Sequence, residues 1–135
     1  PAFISIKNGE IKSNYSWTKE NGFDFEKLKS AVVKSVKALN DVLDEGLPLH
    51  PLEEQRESVR DWRQIGLGVL GVGDLLIKLG LKYGAPESLE FCDKVARTII
   101  DTALSASALL AKEYGAFPRY KEEKILQSFI RKCKY

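Results

Sequence analysis

The run Ile65-Gly66-Leu67-Gly68-Val69-Leu70-Gly71-Val72-Gly73-Asp74-Leu75-Leu76-Ile77-Lys78-Leu79-Gly80 restricts the folds open to this chain more than any other stretch. Set on a helix at about 100° per residue, its large apolar side chains point in nearly every direction. A helix apolar all round belongs inside a protein. On that helix Gly66 and Gly73 fall on one side, and Gly68 and Gly71 on roughly the opposite side. Missing side chains on both flanks would let two neighbours approach closely. Each glycine costs a helix up to about 1 kcal/mol against alanine, so tertiary contacts have to compensate. The pattern predicts a central buried helix in which Gly66, Gly68, Gly71 and Gly73 serve packing. The stretch is short for a membrane span and carries Asp74 and Lys78, which argues against one.

The flanking sequence supplies helices to surround it. Asp24 is a good N-cap, and Phe25, Leu28, Val32, Val36, Leu39 and Leu43 follow at three- and four-residue spacing until Gly46 and Pro48. The charged run Leu52 to Arg63 reads as a solvated helix. A long helix opens with Pro86 in its first turn and stops at Gly115, with Leu89, Cys92, Val95, Ile99, Ala103, Ala106 and Leu110 as its buried stripe. Its small run Ala103 to Ala108 is expected to pack on the glycine-bearing helix. Phe117-Pro118 breaks the chain, and a last helix, about Lys121 to Lys132, is expected to bury Ile125, Leu126 and Phe129. At the other end, Phe3 to Ile11 alternates around Asn8-Gly9, a pair that supplies the positive φ angles of a two-residue hairpin. Lys12 to Gly22 reads as a polar connection anchored by Tyr15 and Trp17. The fold class expected is mainly α: one domain over residues 1–135, a bundle of four to five helices around a central glycine-containing helix, with a small N-terminal β-hairpin.

Composition narrows the function classes. The 21 basic and 19 acidic residues are spread along the chain, and the resulting charge of +2 gives no strong pull toward nucleic acid or an anionic membrane. Cys92 and Cys133 stand far apart without CxxC or Cys/His spacing, so neither a disulfide framework nor a zinc site is expected, and reduced thiols imply the cytoplasm. The chain contains no methionine and begins at Pro1, which leads us to expect a fragment of a longer protein.

Candidate chemistry is sparse. Gly66-Leu67-Gly68-Val69-Leu70-Gly71 satisfies the literal GxGxxG pattern, but a dinucleotide site needs a strand before the first glycine. Here Glu57 to Gln64 is charged and helix-like, so the glycines read as packing. His50, the single histidine, lies between Pro48 and Pro51 with Leu49 and Leu52 beside it, without partners for acid–base or metal chemistry. Ser105 and Ser107 fall inside a helix, Cys92 on an apolar stripe, and Glu53, Glu54 and Glu57 on a solvated face. Cys133 sits among Arg131, Lys132 and Lys134, which could lower its thiol pKa, although an incidental exposed thiol is the simpler account. The basic C-terminal run with Tyr120, Phe129 and Tyr135 is interrupted by Glu122 and Glu123, against a nucleic-acid surface. No catalytic, cofactor-binding or metal residue is assigned.

The stretch Arg63-Gln64-Ile65-Gly66-Leu67-Gly68-Val69-Leu70-Gly71 resembles the R-x-I-G-L-G-V-x-G segment of ribonucleotide reductase large subunits, with the cobalamin-dependent branch most similar. Leu39 to Asp44 with the following Pro48, and Ala106 to Pro118, are in register with the same family. The resemblance spans about Phe25 to Pro118 and fades beyond it. It implies a parent enzyme that converts ribonucleotides to deoxyribonucleotides inside an α/β barrel, through a cysteine thiyl radical and a redox cysteine pair. By the same resemblance, a Cys-Asn-Leu-Gly-Ser type strand lies upstream of Pro1 and a Pro-Thr-Gly type loop beyond Tyr135. Neither Cys92 nor Cys133 corresponds to a family catalytic cysteine. The chain is therefore expected to be a non-catalytic piece that supports the barrel, with the remainder of the subunit as partner and adenosylcobalamin as the parent's cofactor. Surfaces bared by excision, including the hairpin edge, would drive self-association. The rival expectation is a stand-alone helical interaction module; the weakest is a small nucleotide-binding protein.

Overall fold

The computed structural model describes residues 4–7, 10–13, 18–19 and 22–127, with side chains over 22–124. β1 (Ile4–Lys7) and β2 (Glu10–Ser13) pair antiparallel, with Ile4 opposite Ser13 and Lys7 opposite Glu10. That is the expected hairpin, although Asn8 and Gly9 themselves lie outside the described residues. A second short ladder joins β3 (Thr18–Lys19) to β4 (Gly22–Phe23), within the stretch expected as a plain connection. Tyr15 and Trp17 lie outside the described residues.

Among the described residues five α-helices follow: α1 (Phe25–Gly46), α2 (Glu53–Trp62), α3 (Val72–Lys78), α4 (Pro86–Tyr114) and α5 (Glu122–Gln127). The mainly α class therefore holds. α1 starts where Asp24 caps it, its carboxylate accepting from the Lys27 N–H at 3.0 Å, and it gives way to a 3-10 turn at Leu47–Leu49 that contains Pro48. α4 ends at Gly115, whose φ of 90° suits a residue without Cβ. Of α5, the side chains of Ile125 and Leu126, and all of Phe129, lie outside the described residues.

The core is the seam between α1 and α4. Leu28, Val32 and Val36 of α1 are buried with Ala106 of α4, and Phe23, Phe25, Val95, Ile99, Ala103 and Leu110 pack around them. Phe25 at the start of α1 meets Phe91 near the start of α4, ring centroids 6.3 Å apart. Val36 and Asn40, further along α1, share a groove with Leu110 and Ala111, near the end of α4. The two long helices therefore run in the same direction. On α4 the stripe begins differently from expectation: Leu89 is 62% exposed and Ser88 is buried in its place. The Ser88 hydroxyl donates to the Ala85 carbonyl at 2.8 Å, which makes its burial tolerable in this first turn. The small run of α4 meets α1, through Ala106, rather than a glycine-bearing helix.

The glycine run departs most from expectation. Helix covers only Val72–Lys78, whose Leu76 is buried; residues 63–71 run without helix, turn or bend. Ile65 shares a groove with Asn40 and Leu110, near the ends of α1 and α4. Leu67 to Val72 line a second groove with Phe23, Leu28 and Val95, near their starts. This leg thus runs antiparallel to both helices, across their shared face. Topology explains the difference. Having left α1 at its far end, the chain must return to the near end to begin a parallel α4. A 22-residue helix is about 33 Å long. Seven helical residues would recover only about 10 Å, whereas an extended chain gains about 3.3 Å per residue. The glycines, unfavourable in a helix by up to about 1 kcal/mol each, favour the extended alternative.

The close contact expected at the glycines is not made among the described residues. A Cβ on Gly66, Gly68, Gly71 or Gly73 would meet no heavy atom within 4 Å. Gly71 is constrained instead by its backbone, at φ 77° where α3 begins. Two substitutions should then act with opposite signs. Gly71→Ala should destabilise by roughly 1–2 kcal/mol, the cost of a left-handed conformation for an L-residue, with Gly71→Asn less affected. Gly73→Ala, inside α3 and free of clashes, should stabilise by up to about 1 kcal/mol. Chemical denaturation of the three variants checks both; a stabilised Gly71→Ala would remove the left-handed assignment.

Candidate functional site

The most organised polar cluster forms where α2 gives way to the leg. Arg63 has φ 45° and ψ 46°, and among the described residues it is the one non-glycine with positive φ. Its guanidinium is forked onto α1: one terminal nitrogen donates to Asp44 Oδ1 at 2.7 Å and the other to Asn40 Oδ1 at 2.7 Å. The Asn40 amide donates in turn to Asp44 Oδ2 at 3.3 Å, closing a three-residue network. Two residues before Arg63, the Asp61 carboxylate accepts from Arg119 Nε at 2.9 Å, and the Asp61 carbonyl accepts from the Arg119 N–H at 3.2 Å. The end of α2 is therefore tied both to α1 and to the segment after α4.

Asn40, Asp44 and Arg63 border an open groove of about 520 Å³, which also takes in Arg60, Tyr114 and Phe117. The hydrogen bond from Arg63 holds the Asp44 carboxyl below the ordinary carboxylate range, against a smaller opposing effect of burial, and the same contact raises the Arg63 pKa. Tyr114 is raised chiefly by its hydrogen bond with Glu113, so it stays a neutral phenol. The second groove, about 440 Å³, lies between the leg and the α1–α4 seam and is lined almost wholly by apolar groups such as Leu28, Val32, Leu67 and Ile99. It presents surface for burial and no reacting group.

The residues singled out in the sequence do not converge. Gly66, Gly68, Gly71 and Gly73 lie along the leg and the first turn of α3, and a helix, α2, precedes the GxGxxG pattern where a dinucleotide site needs a strand. His50 follows the 3-10 turn and lines neither groove. Cys92 is a half-buried free thiol on α4; Ser105 and Ser107 lie inside the same helix. Glu53, Glu54 and Glu57 face solvent on α2. Cys133, Arg131, Lys132, Lys134 and Tyr135 lie outside the described residues. Among the described residues no group of three or more His, Cys, Asp or Glu could hold a metal ion, and no helix is long and apolar enough to cross a membrane. The network of Arg63, Asn40 and Asp44 was missed in the sequence, because its members are 19 and 23 residues apart. A signal was present: both ends fall in the blocks that carry the family resemblance.

The Asp44 carboxyl titrates lower when folded than when unfolded. Its contact with Arg63 therefore contributes stability above the unfolded carboxyl's range, and that contribution disappears as pH falls through the lowered folded value. The Asp44 carboxyl carbon, followed by NMR, should titrate at higher pH in an Arg63→Ala variant than in the wild type. Coincident titrations would show that the contact does not persist in solution.

Comparison with known proteins agrees with the resemblance seen in the sequence and widens it. The family described as ribonucleotide reductase, barrel domain, matches residues 3–133, past the Pro118 limit of the motif-based resemblance. A ribonucleoside-diphosphate reductase subunit alpha from Chlamydia muridarum is 39% identical over 105 residues, covering 78% of this chain and 10% of that protein. A vitamin B12-dependent ribonucleoside-diphosphate reductase from Mycobacterium tuberculosis is 35% identical over 109 residues, 81% of this chain and 16% of the relative. Its B12-dependent counterpart from Thermoplasma acidophilum is 40% identical over 97 residues, 72% and 12% respectively. This chain thus spans less than a fifth of the length of these relatives. The match runs through the hairpin, the paired helices and the glycine leg alike, and the chain belongs to the ribonucleotide reductase barrel-domain family.

Proposed function

We propose that this chain is a supporting segment of the barrel of a cytoplasmic ribonucleotide reductase large subunit, one that holds neighbouring active-site strands in place and contributes no reacting group. The arrangement of α1, the leg and α4 carries the proposal. Two helices running in one direction, with a return leg antiparallel across their shared face, are the building unit of an α/β barrel. Among the described residues, the backbone of residues 64–70 makes no hydrogen bond to another segment. A barrel strand has such partners on both edges, and here they would come from the remainder of the subunit.

Burial supports the same assignment. Five apolar side chains are buried among the described residues, whereas sixteen large hydrophobic ones are exposed, including Ile65, Leu67, Val69 and the fully exposed Leu70. Such surface on a single domain calls for a partner. The packing role of Gly66, Gly68, Gly71 and Gly73 belongs to this assembled state: the space open beside each of them is where strands and side chains of the remaining subunit would approach.

The relatives are ribonucleoside-diphosphate reductases by name, so ribonucleoside diphosphates are the substrates proposed for the parent enzyme. B12-dependent relatives support adenosylcobalamin as its cofactor. The residues described here do not fit that group as its holders: the single histidine lines neither groove, and the larger groove is walled by an arginine–carboxylate network. The cofactor would be bound by other parts of the subunit, and no step of its chemistry is assigned to this chain.

Two measurements test the proposal. Purified chain, supplied with reductant, adenosylcobalamin and a ribonucleoside diphosphate, should form no deoxynucleotide; product formation would overturn the non-catalytic role. Sedimentation velocity over a wide concentration range should show self-association through the bared leg and helix faces. A strictly monomeric chain would mean that those faces need no partner, in favour of a self-contained interaction module.

A further inference from the structure

The leg has little of its own to hold it. Among the described residues its backbone is unpaired from 64 to 70, and glycine occupies two of those positions. Its course over the α1–α4 face must be set at its ends. At the far end α3 takes over, with Leu76 buried. At the near end stands Arg63.

Arg63 is an unexpected residue for its backbone. A left-handed position that ends a helix is ordinarily filled by glycine or asparagine, and an L-residue with a Cβ is disfavoured there. What arginine adds is the fork. Its planar guanidinium reaches two acceptors on α1, Asp44 Oδ1 and Asn40 Oδ1, both at 2.7 Å. A lysine ammonium offers no such fixed geometry. The Asp61–Arg119 pair holds the adjoining turn of α2 from the other side. A strained backbone and a side chain anchored one helix away together define the direction in which the chain leaves α2.

We propose that Arg63 is a positioning residue, a latch whose left-handed backbone and forked contact with Asn40 and Asp44 aim the glycine leg antiparallel across the α1–α4 face. The backbone ends α2, and the side chain converts that end into a fixed heading. Without the fork, the leg keeps its start and loses its course. The latch would preset the leg for whatever pairs with its edges, and it does not depend on the identity of that partner.

Arg63→Gly separates the two functions, because glycine accepts the left-handed conformation without cost and removes the fork. Backbone order parameters in the full chain give the readout. In the wild type, amides 65–70 should show values near those of the helices, about 0.8; in Arg63→Gly they should fall to about 0.6 or lower, while α2 amides stay unchanged. Arg63→Lys should loosen the leg similarly, since charge remains but the fork is lost. Asn40→Ala/Asp44→Ala, at a half-buried and an exposed position of α1, should reproduce the loss without altering residue 63, and it decides the matter should Arg63→Gly fail to fold. A leg as ordered in the α1 double variant as in the wild type would overturn the latch. So would a wild-type leg already at loop values.

Discussion

The seam between α1 and α4 determines what the rest of the chain can do. Leu28, Val32 and Val36 recur at four-residue intervals and meet the small side chain of Ala106, which allows the two helices to lie close. A ring cluster of Phe23, Phe25 and Phe91, with centroids 4.9 to 6.3 Å apart, closes the seam at the helix starts. Because both helices run the same way, the intervening chain must travel the length of the layer in reverse. The solvated helix α2 ends beside the far end of α1, and from the left-handed turn at Arg63 the glycine leg makes that return.

The helices were legible because each carries its own local signals. Asp24 caps α1, Pro86 opens α4, Gly115 stops it, and the three- and four-residue spacing of Leu28, Val32 and Val36 marks the face that is buried. The glycine run was misread because its apolar residues satisfy two periods at once. Ile65, Leu67 and Val69 alternate with Gly66, Gly68 and Leu70, a two-residue repeat as well as a helical all-round surface. Local propensity does not decide between these. The distance the chain has to cover does, and that distance exists only once α1 and α4 are placed side by side.

The site was less legible than the fold, for a related reason. The fork of Arg63 onto Asn40 and Asp44 joins residues that only tertiary packing brings together. The family resemblance marked both blocks without stating what links them. Conversely, the residue types that most often announce chemistry were dispersed by the fold: His50 beyond the 3-10 turn, Cys92 half-buried on α4, and the α2 glutamates in solvent. The match of nearly the whole chain to the barrel domain identifies the family of these residues and assigns none of them a reacting role.

The parallel seam also dictates an order of events during synthesis. Phe25 and Phe91, which meet in the folded chain, are separated by more than sixty residues of sequence. At a translation rate of about 5–20 residues per second, the apolar stripe of α1 leaves the ribosome roughly 3–13 s before its counterpart on α4. Contacts between distant segments form late, because the loop between them has to close first. Throughout that interval Leu28, Val32 and Val36 form an uncovered hydrophobic ridge on a nascent chain. It is a surface for a chaperone to occupy, and a point at which crowding on a polysome would favour contact between chains over completion of the seam.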